Sequence, residues 1–225
     1  MSGKYSAVLF SGGLDSAVLA ADALARGQRV RPIYIAVGFA WEAEERAMAA
    51  RLLAGRPFAG RIDPLVALTF DMRDVFPASH WAVRGEAPAF DTPDEDVYIH
   101  GRNVILAAKA AVDMTREGIE HLLLGTLAGN PFPDATPQFF DSMSRALTLG
   151  LGAAISIDAP FAALHKDDVI KRGVELGVPF ELTLSCMQAK DGKHCGQCSK
   201  CRERRDAFGG AGVEDPTRYR QQPKR

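Results

Sequence analysis

The sequence predicts an α/β fold: a parallel β-sheet with helices on both faces, followed by a small C-terminal appendage. Three observations carry this. Strand-like and helix-like segments alternate along the chain, several strand segments are apolar almost throughout, and from Cys186 the character changes to glycine, cysteine and charge. Tyr5 to Phe10 is the first strand, and after a short turn Ala17 to Arg26 reads as its helix. Val30 to Val37 is a nearly continuous apolar strand, buried on both faces, and Trp41 to Leu53 is an acidic-to-basic helix behind it. Leu65 to Phe70 is a third strand. Gly101 to Thr115 is a helix whose Val104, Leu106, Ala107, Ala108 and Ala111 can cover the sheet, and His121 to Thr126 is the fourth strand. Gln138 to Leu149 reads as helix, Ala153 to Ile157 as the fifth strand, and His165 to Leu176 as a helix stopped by Gly177. Between Gly85 and Asp96 lie five carboxylates, two prolines and no basic residue, which reads as a loop serving either as a solvated connection or as a lid.

A chain of 225 residues with 47% hydrophobic content can build one sizeable core. Residues 1–183 are expected to form that domain and 184–225 the appendage. Lys and Arg number 27 against 28 Asp and Glu, so overall charge favours neither a nucleic-acid nor a membrane-surface role. No stretch is long and apolar enough to span a bilayer, and Met1-Ser2-Gly3-Lys4 runs into the first strand without a signal-peptide core. The expected location is cytoplasmic.

The first strand is followed by Ser11-Gly12-Gly13-Leu14-Asp15-Ser16. Adjacent glycines let backbone N–H groups approach an anion, two serines add hydroxyl donors, and a helix start contributes partial positive charge. No lysine follows as the Walker pattern requires, and the G-x-G-x-x-G spacing is absent. The segment resembles the S-G-G-x-D-S pyrophosphate loop of N-type ATP pyrophosphatases, a superfamily with a Rossmann-like sheet that splits ATP between its α and β phosphates.

Cys195, Cys198 and Cys201 stand with two residues between neighbours, and eight residues separate Cys186 from the first of them. Four thiolates suit a closed tetrahedral zinc site, structural because no coordination position stays open. Iron–sulfur ligation and free thiols are the alternatives, but Arg202-Glu203-Arg204 follows where a ferredoxin pattern would continue to another cysteine and a proline. His194 is a minor candidate to replace one sulfur.

Loop and knuckle together resemble the QueC family, whose members convert 7-carboxy-7-deazaguanine to the 7-cyano base. Matching segments run nearly end to end: Phe10 to Leu19, His100-Gly101-Arg102-Asn103 where the family has P-G-R-N, Lys166 at a helix start, Leu184-Ser185-Cys186, the knuckle through Arg202, then Phe208, Ala211-Gly212, Asp215-Pro216 and Tyr219. One region departs. Phe132-Pro133-Asp134-Ala135-Thr136-Pro137 stands where the family reads P-D-C-R, so Asp134 is kept and the cysteine and arginine are lost.

The resemblance implies an ATP-dependent carbon–nitrogen ligase, a homodimer, taking ATP, ammonia and a 7-deazapurine carboxylate, with magnesium alongside ATP. It places ATP on Phe10, Ser11, Gly12, Gly13, Leu14, Asp15, Ser16, Ala17, Val18 and Leu19, and adenine on the backbone near Tyr34, Ile35 and Ala36. Asp15 is expected to hold magnesium, Lys166 and Arg102 to neutralise phosphates, and Asn103 and Asp134, with Arg102, to meet substrate. An adenylating enzyme that attaches a deazaguanine to another acceptor is the nearest alternative. A zinc-stabilised RNA-binding module is a different class, suggested by ten Lys or Arg against five Asp or Glu in residues 186–225 but lacking an aromatic platform.

Overall fold

The structure, a computed structural model, describes residues 4–223; the leader expectation drawn from Met1 to Gly3 lies outside them. Five strands, β1 (Tyr5–Leu9), β2 (Arg29–Ala36), β3 (Val66–Thr69), β4 (His121–Leu123) and β5 (Ser156–Asp158), form one sheet. Their order is β3-β2-β1-β4-β5, and every neighbouring pair is parallel. The chain runs outward from β1 to β3, then returns to the other side of β1 for β4 and β5. Such a reversal opens a crevice at the carboxyl ends of the central strands, where ligands of open α/β sheets bind.

Pro32 sits inside β2, where a proline is unusual. The register explains it. Pairing with β3 begins only at Ile33, opposite Val66, while the Ile33 carbonyl accepts from Phe10 N–H on the β1 side. Alternation then turns the missing Pro32 donor toward the side where no ladder has yet started.

Alternation along β1 also divides the core. Val8 joins α1 (Leu14–Ala25), α2 (Glu42–Leu53) and α6 (Lys166–Glu175) on one face, while Ala7 joins α4 (Arg102–Glu117) and α5 (Pro137–Leu151) on the other. A short α3 (Trp81–Arg84) stacks Trp81 on Trp41 at a centroid distance of 5.7 Å. The last helix, α7 (Ser199–Ala211), adds Phe208 to the α1 side.

Several elements differ from the sequence reading. Helix α1 starts at Leu14 rather than Ala17, because Gly13 takes the extended conformation of an N-cap and the phosphate-loop motif itself enters the helix. Strand β4 ends at Leu123; Leu124 still donates to the Asp158 carbonyl at 2.9 Å, but Gly125 and Thr126 leave the ladder and border the crevice. Helix α7 is absent from the sequence reading because its buried stripe is Cys201, Arg204 and Phe208, and an arginine in the middle breaks the apolar signal. The acidic loop is tied down: Pro88 accepts from Ser199 N–H at 3.2 Å, and the Arg202 guanidinium donates to the Phe90 and Thr92 carbonyls at 2.8 and 3.1 Å.

Helix α6 carries Lys166 and is seated on α1 through Gly173. A Cβ there would lie 2.4 Å from Cζ of Phe180 and 2.7 Å from Cγ2 of Val18. In an open helix Gly→Ala gains about 1 kcal/mol, but overpacking a tight core costs about 1–3 kcal/mol. Gly173→Ala is therefore expected to lower the free energy of unfolding in urea titrations. A rise in stability would show that α6 is free to move away from α1.

Candidate functional site

The loop between β1 and α1 is shaped by Gly12, at φ +76°. A side chain there would be strained and would meet Ala49 of α2 at 3.0 Å, so the loop can lie against α2 only with glycine. Gly12 also accepts from Leu184 N–H at 2.9 Å, fixing the start of the C-terminal segment to the loop. Ser11 Oγ accepts from Gly13 N–H at 3.2 Å and lies 3.4 Å from Ser16 Oγ, whose hydroxyl donates to the Gly13 carbonyl. No side chain caps α1, so its first N–H groups face the crevice. Ala17, Val18 and Leu19, counted in the nucleotide segment from sequence, are buried in the core and support the loop from behind.

Asp15 and Lys166 meet at the mouth of the loop. The Lys166 ammonium lies 3.3 Å from Asp15 Oδ2 and also bonds Glu203 of α7. Lys200, one turn earlier on α7, bonds the other Glu203 oxygen at 2.7 Å. Burial alone would lower the Lys166 pKa, but the Asp15 and Glu203 carboxylates outweigh it and hold the ammonium above its usual range. Glu203 moves the other way: burial opposes ionisation, yet the two lysines bring it down to about 2. Asp15 is raised, chiefly by burial, with Lys166 offsetting part of the effect. Its Oδ1 is buried and, among the described residues, has no hydrogen-bond partner. Glu203 is thus the firm anion, and Asp15 keeps a free oxygen for a further ligand.

Three cavities converge on Asp15. One runs between the ends of β1, β2 and β4, lined by Phe10, Tyr34, Ile35, Arg102, Asn103 and Thr126 among others. A second passes the loop to Lys166, Ser185, Lys200 and Arg204. The third lies beyond Gly125, walled by Asn130, Pro131, Phe132, His165, Lys166 and Asp94. Ala36 borders a different surface, beside Arg73.

Asn103 and Asp134 belong together. Asp134 is buried, accepts Asn103 N–H at 3.0 Å through its carboxylate, and takes the Asn103 amide on its own carbonyl at 3.0 Å. It thereby ties the first turn of α4, which holds Arg102 at the cavity wall, and does not itself line any of the three cavities. Burial raises the Asp134 pKa although the Asn103 bonds oppose this. Ala135 is buried beside it, and the Thr136 hydroxyl caps α5 by accepting from Phe139 N–H at 3.2 Å. Phe132, not the residues at 135 and 136, carries this segment to the third cavity.

Sequence reasoning missed Glu45, Lys200 and Glu203. Glu45 lies in an acidic first turn, which helix-dipole considerations explain without any site. Lys200 and Glu203 lay hidden in a run of mixed charge whose helical face was not legible.

Cys186, Cys195, Cys198 and Cys201 are buried with their sulfurs all within 4.8 Å of one another, a cluster that can hold a metal ion. Backbone N–H groups point at the sulfurs: Cys195 N–H at 3.2 Å and Gln188 N–H at 3.3 Å to Cys186, and Gly196 N–H at 3.4 Å to Cys201. Such donors favour thiolates over thiols. His194 stands outside the cluster, its Nε2 accepting Ser185 N–H at 3.1 Å. Part of the basic excess of this region is engaged inside the fold: Arg204 is buried on Thr183, Ser185 and the Phe180 carbonyl, Arg202 bonds the Phe90 and Thr92 carbonyls, and Lys200 pairs with Glu203.

A parallel sheet whose first strand runs into an uncapped glycine–serine loop, with Asp15 and Lys166 at its mouth, is an open α/β fold with a ligand crevice at the strand ends. Solved structures share it: a predicted subunit of a tRNA methyltransferase from Methanocaldococcus jannaschii covers 97% of this chain and 93% of its own at TM-score 0.50 and 15% identity. The U34-tRNA thiolase NcsA from Methanococcus maripaludis, solved with its [4Fe-4S] cluster, covers 94% and 68% at TM-score 0.51 and 9% identity. Likeness at that level concerns the fold alone. Residues 5–212 match the family described as Queuosine biosynthesis protein QueC. The 7-cyano-7-deazaguanine synthase of Methanoculleus marisnigri is 33% identical, covering 96% of this chain and 99% of its own, and that of Azoarcus sp. is 34% identical over 94% and 95%. The chain belongs to the QueC family and is an enzyme of it. Among the described residues no helix is long and apolar enough to cross a membrane.

Asp134→Ala is expected to lower the unfolding free energy by about 1–3 kcal/mol, because it removes the partner of the Asn103 N–H at the half-buried start of α4. Equilibrium unfolding checks this; unchanged stability with weakened ligand binding would instead make Asp134 a ligand contact.

Proposed function

We propose that this chain adenylates the carboxylate of 7-carboxy-7-deazaguanine with ATP and, with ammonia, converts it to 7-cyano-7-deazaguanine. The observation that carries the reading is the meeting of Asp15 and Lys166 at the uncapped start of α1, where all three cavities join. The cavity over β1 and β2 suits adenosine, the one along the loop suits pyrophosphate, and the one beyond Gly125 suits the acid. That assignment puts the α-phosphate between the two substrates.

A carboxylate resists ammonia because oxide is a poor leaving group. In the proposed first step a carboxylate oxygen attacks the α-phosphorus, the bond to the bridging oxygen breaks, and pyrophosphate leaves. Ammonia then attacks the carbonyl carbon of the acyl-adenylate, AMP departs with the carboxylate oxygen, and a lost proton leaves the amide. A second ATP adenylates the amide oxygen in the same way, and expulsion of AMP with loss of protons forms the nitrile. This chemistry asks the protein to stabilise spread negative charge on departing phosphates rather than to move protons. The Leu14 N–H, the Ser11 hydroxyl, Lys166 and Arg102 are the donors proposed for them, and the Gly13 N–H and Ser16 hydroxyl can join by exchanging their bonds to Ser11 Oγ and the Gly13 carbonyl. The unpartnered Asp15 Oδ1 fits a magnesium ligand. When bound, that ion would neutralise charge on the β and γ phosphates.

The knuckle metal is proposed to be zinc in a structural role. Zn–S bonds of about 2.3 Å at tetrahedral angles place sulfurs about 3.8 Å apart, and three pairs here stand at 3.5, 3.8 and 3.9 Å. An iron–sulfur cluster, several atoms across, would need its ligands farther apart.

Incubation with ATP, magnesium, ammonium and the acid is expected to yield AMP, pyrophosphate and the nitrile by mass spectrometry. AMP without nitrile would move the reading to another acceptor, and no AMP would overturn adenylation. Lys166→Met is expected to lose about a hundredfold or more in kcat/KM while circular dichroism stays unchanged. Elemental analysis should find one zinc per chain; iron, with a brown chromophore, would contradict the structural-zinc assignment.

A further inference from the structure

Glu45, on the cavity-facing side of α2, borders both the cavity over β1 and β2 and the cavity along the phosphate loop. The two spaces share Ser11, Gly13, Asp15, Glu45 and Arg102 as walls, so Glu45 stands where they adjoin. In a nucleoside triphosphate the group joining base to phosphates is the ribose. One Glu45 oxygen is fixed by the Tyr34 hydroxyl, which donates to Oε2 at 2.9 Å. Among the described residues the other oxygen accepts no hydrogen bond, although Glu45 and Arg102 share this wall. Arg102 Nε is buried and, among the described residues, has no partner.

Neighbouring groups narrow what can satisfy that oxygen. Glu42, one turn earlier, is used up on the N–H groups of Val37 and Gly38, at 2.6 and 3.1 Å. The Asn103 amide is committed to Asp134. A carboxylate at this junction repels phosphate and attracts neutral hydroxyl donors. We infer that Glu45, steadied by Tyr34, accepts hydrogen bonds from the ribose hydroxyls and makes the enzyme select ribonucleotides over deoxyribonucleotides. The inference rests on the proposed use of ATP. Burial, partly opposed by Arg102 and Tyr34, raises the Glu45 pKa to about 7.

A site built to bond a hydroxyl rejects the analogue that lacks it, because its own polar group is then buried unpaired. The test is AMP formation with ATP, 2′-deoxy-ATP and 3′-deoxy-ATP under otherwise identical conditions. The unaltered protein is expected to favour ATP over at least one deoxy analogue by about tenfold or more in kcat/KM. In Glu45→Ala that ratio should collapse to about threefold or less, mainly by loss of activity with ATP, and Tyr34→Phe should fall between. Glu45→Gln, which keeps the volume and one acceptor, should recover part of the preference and guards against a folding defect. Equal use of all three nucleotides by the unaltered protein, or an unchanged ratio in Glu45→Ala, would overturn the inference while leaving adenylation intact. AMP from none of the nucleotides would overturn the ATP reading and this inference with it.

Discussion

Lys166 is held between carboxylates from opposite ends of the chain, Asp15 at the start of α1 and Glu203 in α7, and the arrangement of the site depends on that contact. Taking an ammonium and two carboxylates partly out of water is costly, and the cost is offset only while every partner is present. The network therefore acts as a geometric constraint more than as a source of stability. Helix α6 must stay seated on α1 for Lys166 to reach Asp15, and α7 must keep its register for Glu203 to reach Lys166. The cysteine knuckle, with Cys198 at the N-cap of α7 and Cys201 in its first turn, sets that register, which connects a cluster of sulfurs to the phosphate end of the crevice.

The same contact explains the distribution of charge. Lys200 lies within the knuckle and pairs with Glu203, while Arg202 and the buried Arg204 are held by carbonyls and hydroxyls, so part of a segment that reads as basic in one dimension is turned inward in three. The acidic loop at Gly85 to Asp96 is the complementary case. Its Phe90 and Thr92 carbonyls hold Arg202, and Asp94 borders the third cavity, so it forms a wall of the site.

Legibility in the sequence followed the range of the interactions involved. The strands were readable because a parallel sheet buried on both faces demands continuous apolar runs, and the phosphate loop was readable because its glycines and serines serve adjacent backbone groups. The cysteine cluster was readable from spacing alone, since four ligands within a short segment leave few geometries. What remained hidden involves partners far apart in sequence. Glu203 pairs with a lysine 37 residues away, and Asp134 serves a helix start 31 residues away. Glu45 shares a cavity wall with Arg102 only because the chain reverses across β1. Ala17, Val18 and Leu19 show the converse: residues adjacent to a motif in sequence can be its buried support.

In the segment from Phe132 to Pro137, Asp134 stabilises the start of α4, Thr136 caps α5, and Phe132 lines the third cavity. The proposed chemistry is then tested most directly by following oxygen. With the acid labelled with ¹⁸O in its carboxylate, the account predicts one labelled oxygen in the AMP released on forming the amide. Label in inorganic phosphate or pyrophosphate, or AMP free of label, would contradict attack by the carboxylate on the α-phosphorus.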